Sequence, residues 1–230
     1  MEAIVLAGGL GTRLRPAVAN VPKPLALVAG RPFLAWQLEF LAAQGVRRVL
    51  LATGYRADLI RDTLGTRWGD MSLEYLAEPE PLGTGGALRN ALPRMSDPSV
   101  LVLNGDTYVA VDLAGMMSAH KALGASVSVA VCHVPDAARF GKVEIDAGRV
   151  TGFSASGSTG PGLINAGVYV VARQLLVNSR DGAFSFERDF LEPRIATLRP
   201  AAFLSDGPFI DIGTPQDFAR AQSMFGQQIP

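Results

Sequence analysis

Apolar and polar positions follow two rhythms along the first half of the chain. Short continuous apolar runs, typical of buried strands, are separated by longer stretches whose apolar positions recur with helical spacing. Strands and helices that alternate in this way predict a parallel sheet covered by helices on both faces, with ligands bound beyond the carboxyl ends of the strands. The predicted strands are Ala3–Leu6, Val46–Ala52, Leu73–Ala77 and Val100–Leu103, and the predicted helices are Phe33–Gln44, Arg56–Leu64 and one beginning near Thr84.

After Leu123 the pattern changes to apolar runs joined by short turns. No linker-like segment separates the two halves of the chain. The Gly/Ser-rich stretch Ser156–Gly162 is predicted to be a mobile loop at a site and not a domain boundary. The chain is therefore predicted to be one α/β domain over residues 1–230, with a Rossmann-like, mixed and mostly parallel sheet. The predicted elements of this half are strands Ser126–Cys132, Lys142–Asp146, Arg149–Ser154 and Leu163–Val171, a helix Phe186–Leu198, a short strand Phe209–Ile212 and a closing helix Pro215–Phe225.

Composition excludes several classes of protein. Lys plus Arg and Asp plus Glu are both 21, so the formal net charge is zero, which argues against nucleic-acid and polybasic membrane-surface partners. The single cysteine, Cys132, excludes an internal disulfide framework and a cysteine metal site, and His120 and His133 have no partner at metal-ligand spacing. Because neither a targeting segment nor an apolar run long enough to span a bilayer is visible, we expect a cytoplasmic protein with no membrane partner.

The junction after the first strand, Leu6–Pro16, reads LAGGLGTRLRP and places glycines where a backbone can turn and aim N–H groups at an anion. It is not a dinucleotide fingerprint, because Leu14 stands where the third glycine belongs, and it is not a P-loop, because no G-K-[ST] follows. Lys23 is held between two prolines, which position its charge, and no acidic residue occurs in the range Ala3–Leu38. A solvated basic loop is the alternative, but the full arrangement favours a phosphate cradle. The cations of this stretch are Arg13, Arg15, Lys23 and Arg31.

Two aspartates stand in or just after predicted strands. Asp106 follows the fourth strand in LNGDT, and Asp211 lies between two isoleucines in FIDIGTP. Carboxylates in such positions can hold Mg²⁺, which takes one or two of them together with phosphate oxygens and water. An Asp106 that only caps the following turn is the alternative for that residue alone. Two carboxylates beside a cationic phosphate cradle predict metal-assisted nucleotidyl transfer.

A second glycine-rich junction, Glu78–Leu88, reads EPEPLGTGGAL. Such a loop lets a flat nucleobase approach the backbone, and the carboxylate of Glu78 or Glu80 could accept hydrogen bonds from guanine N1–H and N2–H. Asn165, in INAGVY, is a candidate for hydrogen bonds to sugar hydroxyls, although a buried asparagine satisfied by the backbone is equally usual. Ser185, in FSFE, is interpreted as a structural N-cap.

Taken in order, the segments AGGLGTRLRP, PKPL, LGTGGAL, NGDT, INAGVY and FIDIGTP resemble the motifs of the sugar-1-phosphate nucleotidylyltransferases over nearly the whole chain. The pair PLGTGGA and FSFERDFLE is similar to the D-glycero-α-D-manno-heptose 1-phosphate guanylyltransferases of that family, which make GDP-heptose for surface polysaccharide or S-layer glycan. The resemblance implies the nucleotide-diphospho-sugar transferase fold, with residues 1–123 binding the nucleotide and residues 124–230 binding the sugar phosphate. It also implies GTP and a sugar 1-phosphate as substrates and Mg²⁺ as cofactor.

The resemblance further implies a role for each matching residue. Arg13 would neutralise the β and γ phosphates and Lys23 would bridge the α phosphate and the sugar phosphate, while Asp106 and Asp211 would hold Mg²⁺. Attack of the sugar-phosphate oxygen on the α phosphorus needs no covalent intermediate and no general base, because the sugar phosphate is already a dianion. The implied nucleotide-binding residues are Leu6, Gly8, Gly9, Gly11, Thr12, Glu78, Glu80, Gly83 and Thr84, and the implied sugar-phosphate-binding residues are Asn104, Gly141, Lys142, Glu144 and Asn165.

One position departs from the family pattern. Relatives carry a Glu-Lys pair after the strand that here reads VTGFSAS, and the lysine of that pair binds the sugar phosphate, whereas this chain has Ala155 and Ser156. Lys142 stands in RFGKVE, where relatives have an apolar residue. Our hypothesis is that Lys142 supplies the missing charge from the neighbouring strand.

Three other functions stay open on the residues alone. They are a mannose-1-phosphate guanylyltransferase, an amino-sugar-1-phosphate uridylyltransferase (short members of that group also carry a TGG run) and a regulatory relative that binds nucleotide sugars without turnover. The four charged candidates Arg13, Lys23, Asp106 and Asp211 speak against the inactive relative, and the change at Ala155 and Ser156 speaks for it. A NAD-dependent dehydrogenase is disfavoured by the missing third glycine. The residues leave open whether the chain forms a homo-oligomer.

Overall fold

A computed structural model describes residues 1–9, 14, 18, 21–78, 80–154, 156–157 and 159–227 of the 230-residue chain. The strands are β1 (Glu2–Leu6), β2 (Leu27–Val28), β3 (Arg31–Pro32), β4 (Arg48–Thr53), β5 (Arg67–Trp68), β6 (Met71–Ala77), β7 (Ser99–Asn104), β8 (Thr107–Val109), β9 (Val127–Val134), β10 (Val143–Asp146), β11 (Arg149–Phe153), β12 (Gly162–Ala172), β13 (Ala201–Ser205) and β14 (Phe209–Asp211). The α-helices are α1 (Phe33–Ala43), α2 (Ala57–Leu64), α3 (Gly83–Ala91), α4 (Leu113–Ala122), α5 (Arg173–Val177), α6 (Ile195–Leu198) and α7 (Pro215–Gly226). Shorter helical turns are the 3₁₀ turns Lys23–Leu25, Leu92–Arg94 and Glu192–Arg194 and the π-helical turn Phe186–Leu191.

Ten of these strands form one mixed sheet in the order β10-β11-β13-β9-β12-β7-β1-β4-β6-β5. The strands β7, β1, β4 and β6 pair in parallel, and β13 pairs in parallel with β9. Following the pairing outward from β1, seven of the ten strands point the same way, whereas β5, β11 and β12 run against them. The predicted Rossmann-like, mixed and mostly parallel sheet is therefore confirmed.

The register of the central strands brings their carboxyl ends into line. Leu6, the last residue of β1, pairs with Ala52 of β4 on one side and with Asn104 of β7 on the other. Beyond the strands, Gly105 N–H donates to the Leu6 carbonyl at 2.9 Å, and Glu78 N–H donates to the Thr53 carbonyl at 2.7 Å. The loops that follow β1, β6 and β7 consequently emerge side by side at one edge of the sheet.

Side chains of alternate residues on β1 enter opposite cores, as a strand buried on both faces requires. Ala3 and Val5 belong to a cluster that also holds Leu34 of α1, while Ile4 belongs to a second cluster with Leu88 of α3. Helices therefore cover both faces of the sheet, as the alternation of elements predicts.

The closing helix α7 anchors the C-terminal half of the site. Its Phe225 is fully buried, with its ring centroid 4.8 Å from that of Trp36 on α1 and 5.0 Å from that of Tyr108 on β8. At the start of α7, the Thr214 hydroxyl accepts a hydrogen bond from Asp217 N–H at 3.2 Å and caps the helix. This packing holds β14, and with it Asp211, against β8.

The structure contains elements that the pattern does not predict. The helix α4 lies within a stretch left unassigned, although Asp112 caps it by accepting from Gly115 N–H at 2.9 Å. The strand β13 inserts between β11 and β9 and pairs in parallel with a strand about 70 residues earlier, which no local pattern reveals. The predicted helix Phe186–Leu198 is divided into three short turns, because Pro193 has no N–H to continue an α-helix.

His120 is a buried histidine whose two ring nitrogens are both occupied. Nδ1 lies 2.9 Å from Ser128 Oγ and Nε2 lies 3.3 Å from Ser99 Oγ, and the side chain is 3 % exposed. Both hydrogen-bonding atoms of the His120 ring are therefore satisfied within the fold. Burial lowers the pKa of His120 below its ordinary value, and the neighbouring Lys121 lowers that pKa further.

This lowered pKa predicts a loss of stability on the acidic side. The unfolded chain binds the imidazole proton more readily than the folded one, so the free energy of unfolding falls as the pH drops below about 6.5. We expect His120→Asn to show a smaller difference than the wild type between urea unfolding at about pH 7.5 and at about pH 5.5. The exposed His133, changed to Asn, is the matched control, and parallel losses in all three proteins would contradict the assignment.

No helix in the described part of the chain is both long enough and apolar enough to cross a membrane.

Candidate active site

The carboxyl ends of the central strands enclose a pocket of about 290 Å³, near the lower end of the range for small-molecule sites, which is roughly 300–1,000 Å³. Most of the predicted nucleotide-binding residues meet there, together with two of the predicted charged residues. The predicted residues that line it are Leu6, Gly8, Gly9, Lys23, Glu78, Gly83, Thr84, Asn104 and Asp106. The predicted residues Gly11, Thr12 and Arg13, as well as Arg15 and Ala155, lie outside the described residues.

Lys23 presents a positioned charge to this pocket. It opens a 3₁₀ turn between Pro22 and Pro24, and Ala26 N–H closes the turn by donating to the Lys23 carbonyl at 3.1 Å. Its Nζ lies 2.6 Å from Oδ2 of Asp106, and its side chain is only 11 % exposed, against 38 % for Asp106. An ammonium held in this way is a point charge with a fixed position, as the flanking prolines predict.

The strands β8 and β14 bring the second aspartate beside the first. Asp211 stands opposite Thr107 in their antiparallel pairing, and the Thr107 hydroxyl lies 3.2 Å from Asp211 Oδ2 and 3.3 Å from Asp106 Oδ1. A Cβ placed on Gly213 would lie 2.6 Å from Asp211 Oδ1 and 3.3 Å from Lys23 Nζ, so both charged groups converge on that glycine. Asp211 thus borders the pocket although it does not line it.

The donor set fits a hard divalent cation. Asp106 and Asp211 offer carboxylate oxygens on either side of one hydroxyl, and no group of three or more His, Cys, Asp or Glu side chains suited to a metal occurs among the described residues. Mg²⁺ is bound in this way, by one or two carboxylates with substrate phosphates and water completing its shell. The two aspartates would therefore hold a metal only together with a phosphorylated ligand.

Arg139 is a charged residue of this site that the sequence reasoning missed. Its Nη2 lies 2.8 Å from Asp211 Oδ1 and 3.1 Å from Asp217 Oδ2, and Gly213 N–H also donates to Asp211 Oδ1 at 2.7 Å. Arg139 and Asp211 are 72 residues apart in the chain, so only the fold pairs them. With Lys23, Arg139 supplies a second cation to the pair of carboxylates.

On the nucleobase side, the structure distinguishes the two candidate glutamates. Glu78 lines the pocket, and its Oε2 accepts from Leu82 N–H at 3.1 Å. Burial raises the pKa of the Glu78 carboxyl above its ordinary value, and the hydrogen bond from Leu82 offsets part of that rise. Glu80 is exposed and is not among the described residues that line the pocket. Of the two, Glu78 has the geometry to face a base.

The glycines at the start of α3 are required by contacts within the chain itself. Gly83 has φ +68°, and a Cβ on it would lie 2.6 Å from the Phe184 carbonyl oxygen. A Cβ on Gly85 would overlap the Phe184 ring, while Gly85 N–H donates to the Phe184 carbonyl at 2.9 Å. The sequence predicts that this loop admits a nucleobase, and at both positions the close neighbour within the chain is Phe184. The two motifs that mark the guanylyltransferase branch are therefore packed against each other.

This packing predicts that Gly85→Ala destabilises the fold. The added methyl group must displace the buried Phe184 ring, and we expect the free energy of unfolding in urea to fall by about 1–3 kcal/mol. Gly226→Ala is the matched control, because a Cβ there meets nothing within 4 Å. Equal stability of Gly85→Ala and the wild type would refute the contact.

The predicted sugar-phosphate residues lie apart from the pocket, with the exception of Asn104. Asn165 on β12 donates from Nδ2 to the Tyr169 hydroxyl at 2.7 Å and accepts from Gly167 N–H at 3.0 Å. Glu144 is exposed on the edge strand β10, and Gly141 is buried in the turn before that strand. Lys142 Nζ donates to the Thr159 carbonyl at 3.2 Å, which places the ammonium on the loop that contains Ser156.

Ser185 caps the π-helical turn by accepting from Arg188 N–H at 3.2 Å, in agreement with its structural interpretation. The sequence motifs do not mark the neighbouring Glu187 as a site residue, although its Oε2 accepts from the Thr84 hydroxyl at 2.8 Å and its Oε1 accepts from the Tyr169 hydroxyl at 2.9 Å. The available signal was an acidic residue between two buried phenylalanines, Phe186 and Phe190.

Glycine-rich loops, a positioned lysine and paired carboxylates at the carboxyl edge of such a sheet define a nucleotidyl transferase. Residues 2–228 match the model of the Nucleotidyl transferase family, and the chain belongs to that family. It is 40% identical to a D-glycero-α-D-manno-heptose 1-phosphate guanylyltransferase from Aneurinibacillus thermoaerophilus, covering 96% of this chain and 97% of that protein. It is 35% identical to the protein of the same name from Campylobacter jejuni, covering 95% of this chain and 97% of that protein.

The fold is shared with a solved structure. The crystal structure of HddC from Yersinia pseudotuberculosis matches with a TM-score of 0.89 and 36% identity, over 97% of this chain and 99% of that chain. A second crystal structure of HddC, complexed with GMP-PN, matches with a TM-score of 0.88. The resemblance that the motifs indicate is thus confirmed at the level of family and fold.

Proposed function

We propose that this chain is a guanylyltransferase that condenses GTP with D-glycero-α-D-manno-heptose 1-phosphate, releasing pyrophosphate and GDP-heptose for surface polysaccharide biosynthesis. The observation that carries the proposal is the buried Lys23 ammonium, 2.6 Å from Asp106, at the edge of a pocket that also holds the base-facing loop. The relatives from two bacteria that carry this activity in their names, each matched over nearly its whole length, support the choice of sugar and base.

In this reaction an oxygen of the sugar phosphate attacks the α phosphorus of GTP, and the bond to the β-phosphate oxygen breaks. The step brings two anions together and shifts negative charge onto the departing pyrophosphate, so cations fixed in advance supply most of the rate. We assign this role to Lys23 and to Arg139, which pairs with Asp211. We assign Arg13, Gly11 and Thr12 to the triphosphate on the family resemblance alone.

Enzymes of this family use a divalent metal, and we propose Mg²⁺ held by Asp106 and Asp211. The metal would neutralise phosphate oxygens and orient the reacting groups. Before substrate binds, Lys23 and Arg139 balance the charge of the two carboxylates.

We assign the choice of guanine to Glu78, assisted by Gly83 and Thr84 of the pocket wall. An ionised carboxylate accepts hydrogen bonds from guanine N1–H and N2–H, which no other common base presents together. The half-buried site of Glu78 strengthens such bonds, because a low local dielectric weakens the competition from water.

Pyrophosphate release tests the proposal. With Mg²⁺ present, GTP, UTP, CTP, ATP and dTTP are each paired with the 1-phosphates of the manno-heptose, mannose, glucose and N-acetylmuramic acid. We expect turnover with GTP and the manno-heptose phosphate. Turnover only with mannose 1-phosphate would favour a mannose-1-phosphate guanylyltransferase instead, and turnover only with UTP would favour a uridylyltransferase. Nucleotide binding without turnover would support a regulatory relative.

Lys142→Ala tests whether Lys142 supplies the positive charge that relatives carry where this chain has Ser156. Its ammonium reaches the loop of Ser156 through the Thr159 carbonyl. We expect the KM for the sugar 1-phosphate to rise about tenfold, the loss of one charge-assisted hydrogen bond, with the KM for GTP unchanged. Lys121→Ala removes the same charge from the exposed side of α4 and is the control. An unchanged KM for the sugar 1-phosphate in Lys142→Ala would rule out the assignment.

A further inference from the structure

Four side chains form a continuous hydrogen-bonded line from the nucleobase loop to the predicted sugar-binding strand. Thr84, at the start of α3, donates its hydroxyl to Glu187 Oε2 at 2.8 Å. Tyr169 of β12 donates its hydroxyl to Glu187 Oε1 at 2.9 Å, and Asn165 Nδ2 donates to the same Tyr169 oxygen at 2.7 Å. Since Thr84 lines the pocket and Asn165 is the sugar candidate, the line joins the two predicted substrate sites through residues that contact neither substrate in the proposed reaction.

The direction of every hydrogen bond in this line is fixed by backbone donors at its two ends. Gly167 N–H donates to Asn165 Oδ1 at 3.0 Å, which turns the amide nitrogen toward the Tyr169 hydroxyl. Phe186 N–H donates to Thr84 Oγ1 at 2.8 Å. Both hydroxyl oxygens therefore already accept a hydrogen bond, and both hydroxyl protons point to Glu187.

Only a carboxylate satisfies this arrangement. Glu187 receives two hydroxyl protons on two different oxygens, and the Ser185 hydroxyl lies 3.2 Å from Oε2 as a further contact. A glutamine offers one oxygen and one NH₂ group, so one of the two hydroxyl protons would lose its acceptor. The chemistry of the site thus requires a glutamate at position 187.

The centre of the line is buried and closely packed. Tyr169 is 1 % exposed, and its ring meets that of Phe186 edge to face, with centroids 5.6 Å apart. Phe186 in turn stacks on Phe190 at 5.8 Å. Burial raises the pKa of Tyr169 well above its ordinary value, as does the nearby Glu187 charge, so the hydroxyl carries its proton at neutral pH.

We propose that Glu187 is a positioning residue that ties Thr84 of the nucleobase loop to Asn165 of the sugar side, so that the binding of one substrate orders the site of the other. This inference rests on the proposed function and deepens it. A ligand that holds Thr84 in place also holds Glu187 and Tyr169, and the second ligand then meets an Asn165 that is already oriented. Such an effect is a coupling between two binding equilibria and must be reciprocal.

Calorimetric titration with an unreactive nucleotide, α,β-methylene-GTP, measures the coupling directly. Its dissociation constant is determined with and without saturating heptose 1-phosphate for the wild type, Glu187→Gln, Tyr169→Phe and the control Glu192→Gln. The control removes the same charge from an exposed position five residues further along. We expect the sugar phosphate to tighten nucleotide binding at least about fivefold in the wild type and the control, and less than about twofold in the other two variants.

A purely structural role for Glu187 would give a different result. Damage to the fold lowers the affinity for each ligand alone and lowers Tm, but it leaves the ratio of the two dissociation constants near its wild-type value. Retention of the wild-type ratio by Glu187→Gln, or a ratio of one in the wild type, would overturn the inference. If Tyr169→Phe or Glu187→Gln does not fold, Thr84→Val breaks the line at its pocket end, and the same loss of coupling is expected there.

The turnover grid separates this inference from the proposed function. If UTP is the substrate in place of GTP, the proposed function fails, and α,β-methylene-UTP takes the place of the GTP analogue in the same titration. The ratio in the variants then decides the role of Glu187 independently of which base the pocket accepts.

Discussion

Lys23→Ala is expected to lower kcat about 100- to 1,000-fold with GTP and the heptose phosphate as substrates, measured as pyrophosphate release. The Lys23 ammonium is almost buried, is fixed between two prolines and lies 2.6 Å from Asp106. A charge held in place before the reaction needs no reorganisation as negative charge shifts between the phosphates, and alanine provides no charge at that position.

The control for this substitution is Lys121→Ala, which removes a lysine from the exposed face of α4 and should keep the wild-type kcat. Since Lys23 pairs with Asp106, its loss also leaves a half-exposed carboxylate without its cation, so the Tm of each variant is measured beside the rate. A Lys23→Ala enzyme within a few-fold of the wild-type rate and with an unchanged Tm would show that the ammonium is not a catalytic group.

Asp211→Asn is expected to lower the rate at saturating substrates about 100- to 1,000-fold at a fixed low Mg²⁺ concentration, and to raise the half-saturating Mg²⁺ concentration at least about tenfold. The amide keeps the shape of the side chain and an oxygen for Gly213 N–H, but it removes one of the two charges that attract the cation. The loss should therefore be relieved in part by excess Mg²⁺, which separates a metal ligand from a residue that is needed only for folding.

Arg139 keeps an ion-pair partner in the Asp211→Asn variant. It retains Asp217 as an ion-pair partner at 3.1 Å when Asp211 is neutral, so the variant leaves no unpaired cation behind. Asp206→Asn, at an exposed position between β13 and β14, is the matched control. Identical Mg²⁺ titrations for Asp211→Asn and Asp206→Asn would remove Asp211 from the metal site.

Together these variants test whether the protein accelerates the reaction by neutralising charge. None of the proposed steps needs a nucleophile or a general base from the protein, because the sugar phosphate carries its own charged oxygen. The two histidines are consistent with this, since His120 is buried and bonded to two serine hydroxyls and His133 is exposed on β9.

The sequence alone determined the parallel half of the fold and the residues that end its strands. Strands such as Ala3–Leu6 can be recognised in the sequence because strands buried on both faces are continuously apolar. Glycines directly after them mark the edge of the sheet where ligands bind. The prolines around Lys23 act on their immediate neighbour, so their effect was also predictable. These are local signals, in which the cause and its consequence lie within a few residues of each other.

Only the tertiary structure decided which distant groups meet. Arg139 and Asp211 are 72 residues apart, and Thr84 and Glu187 are 103 residues apart, so no spacing along the chain relates them. The same is true of Gly85 in α3, which is required because the Phe184 ring packs against it and not because of a turn. Contacts of this kind depend on the register of a ten-stranded sheet, which the pairing of all its strands fixes together and no single segment encodes.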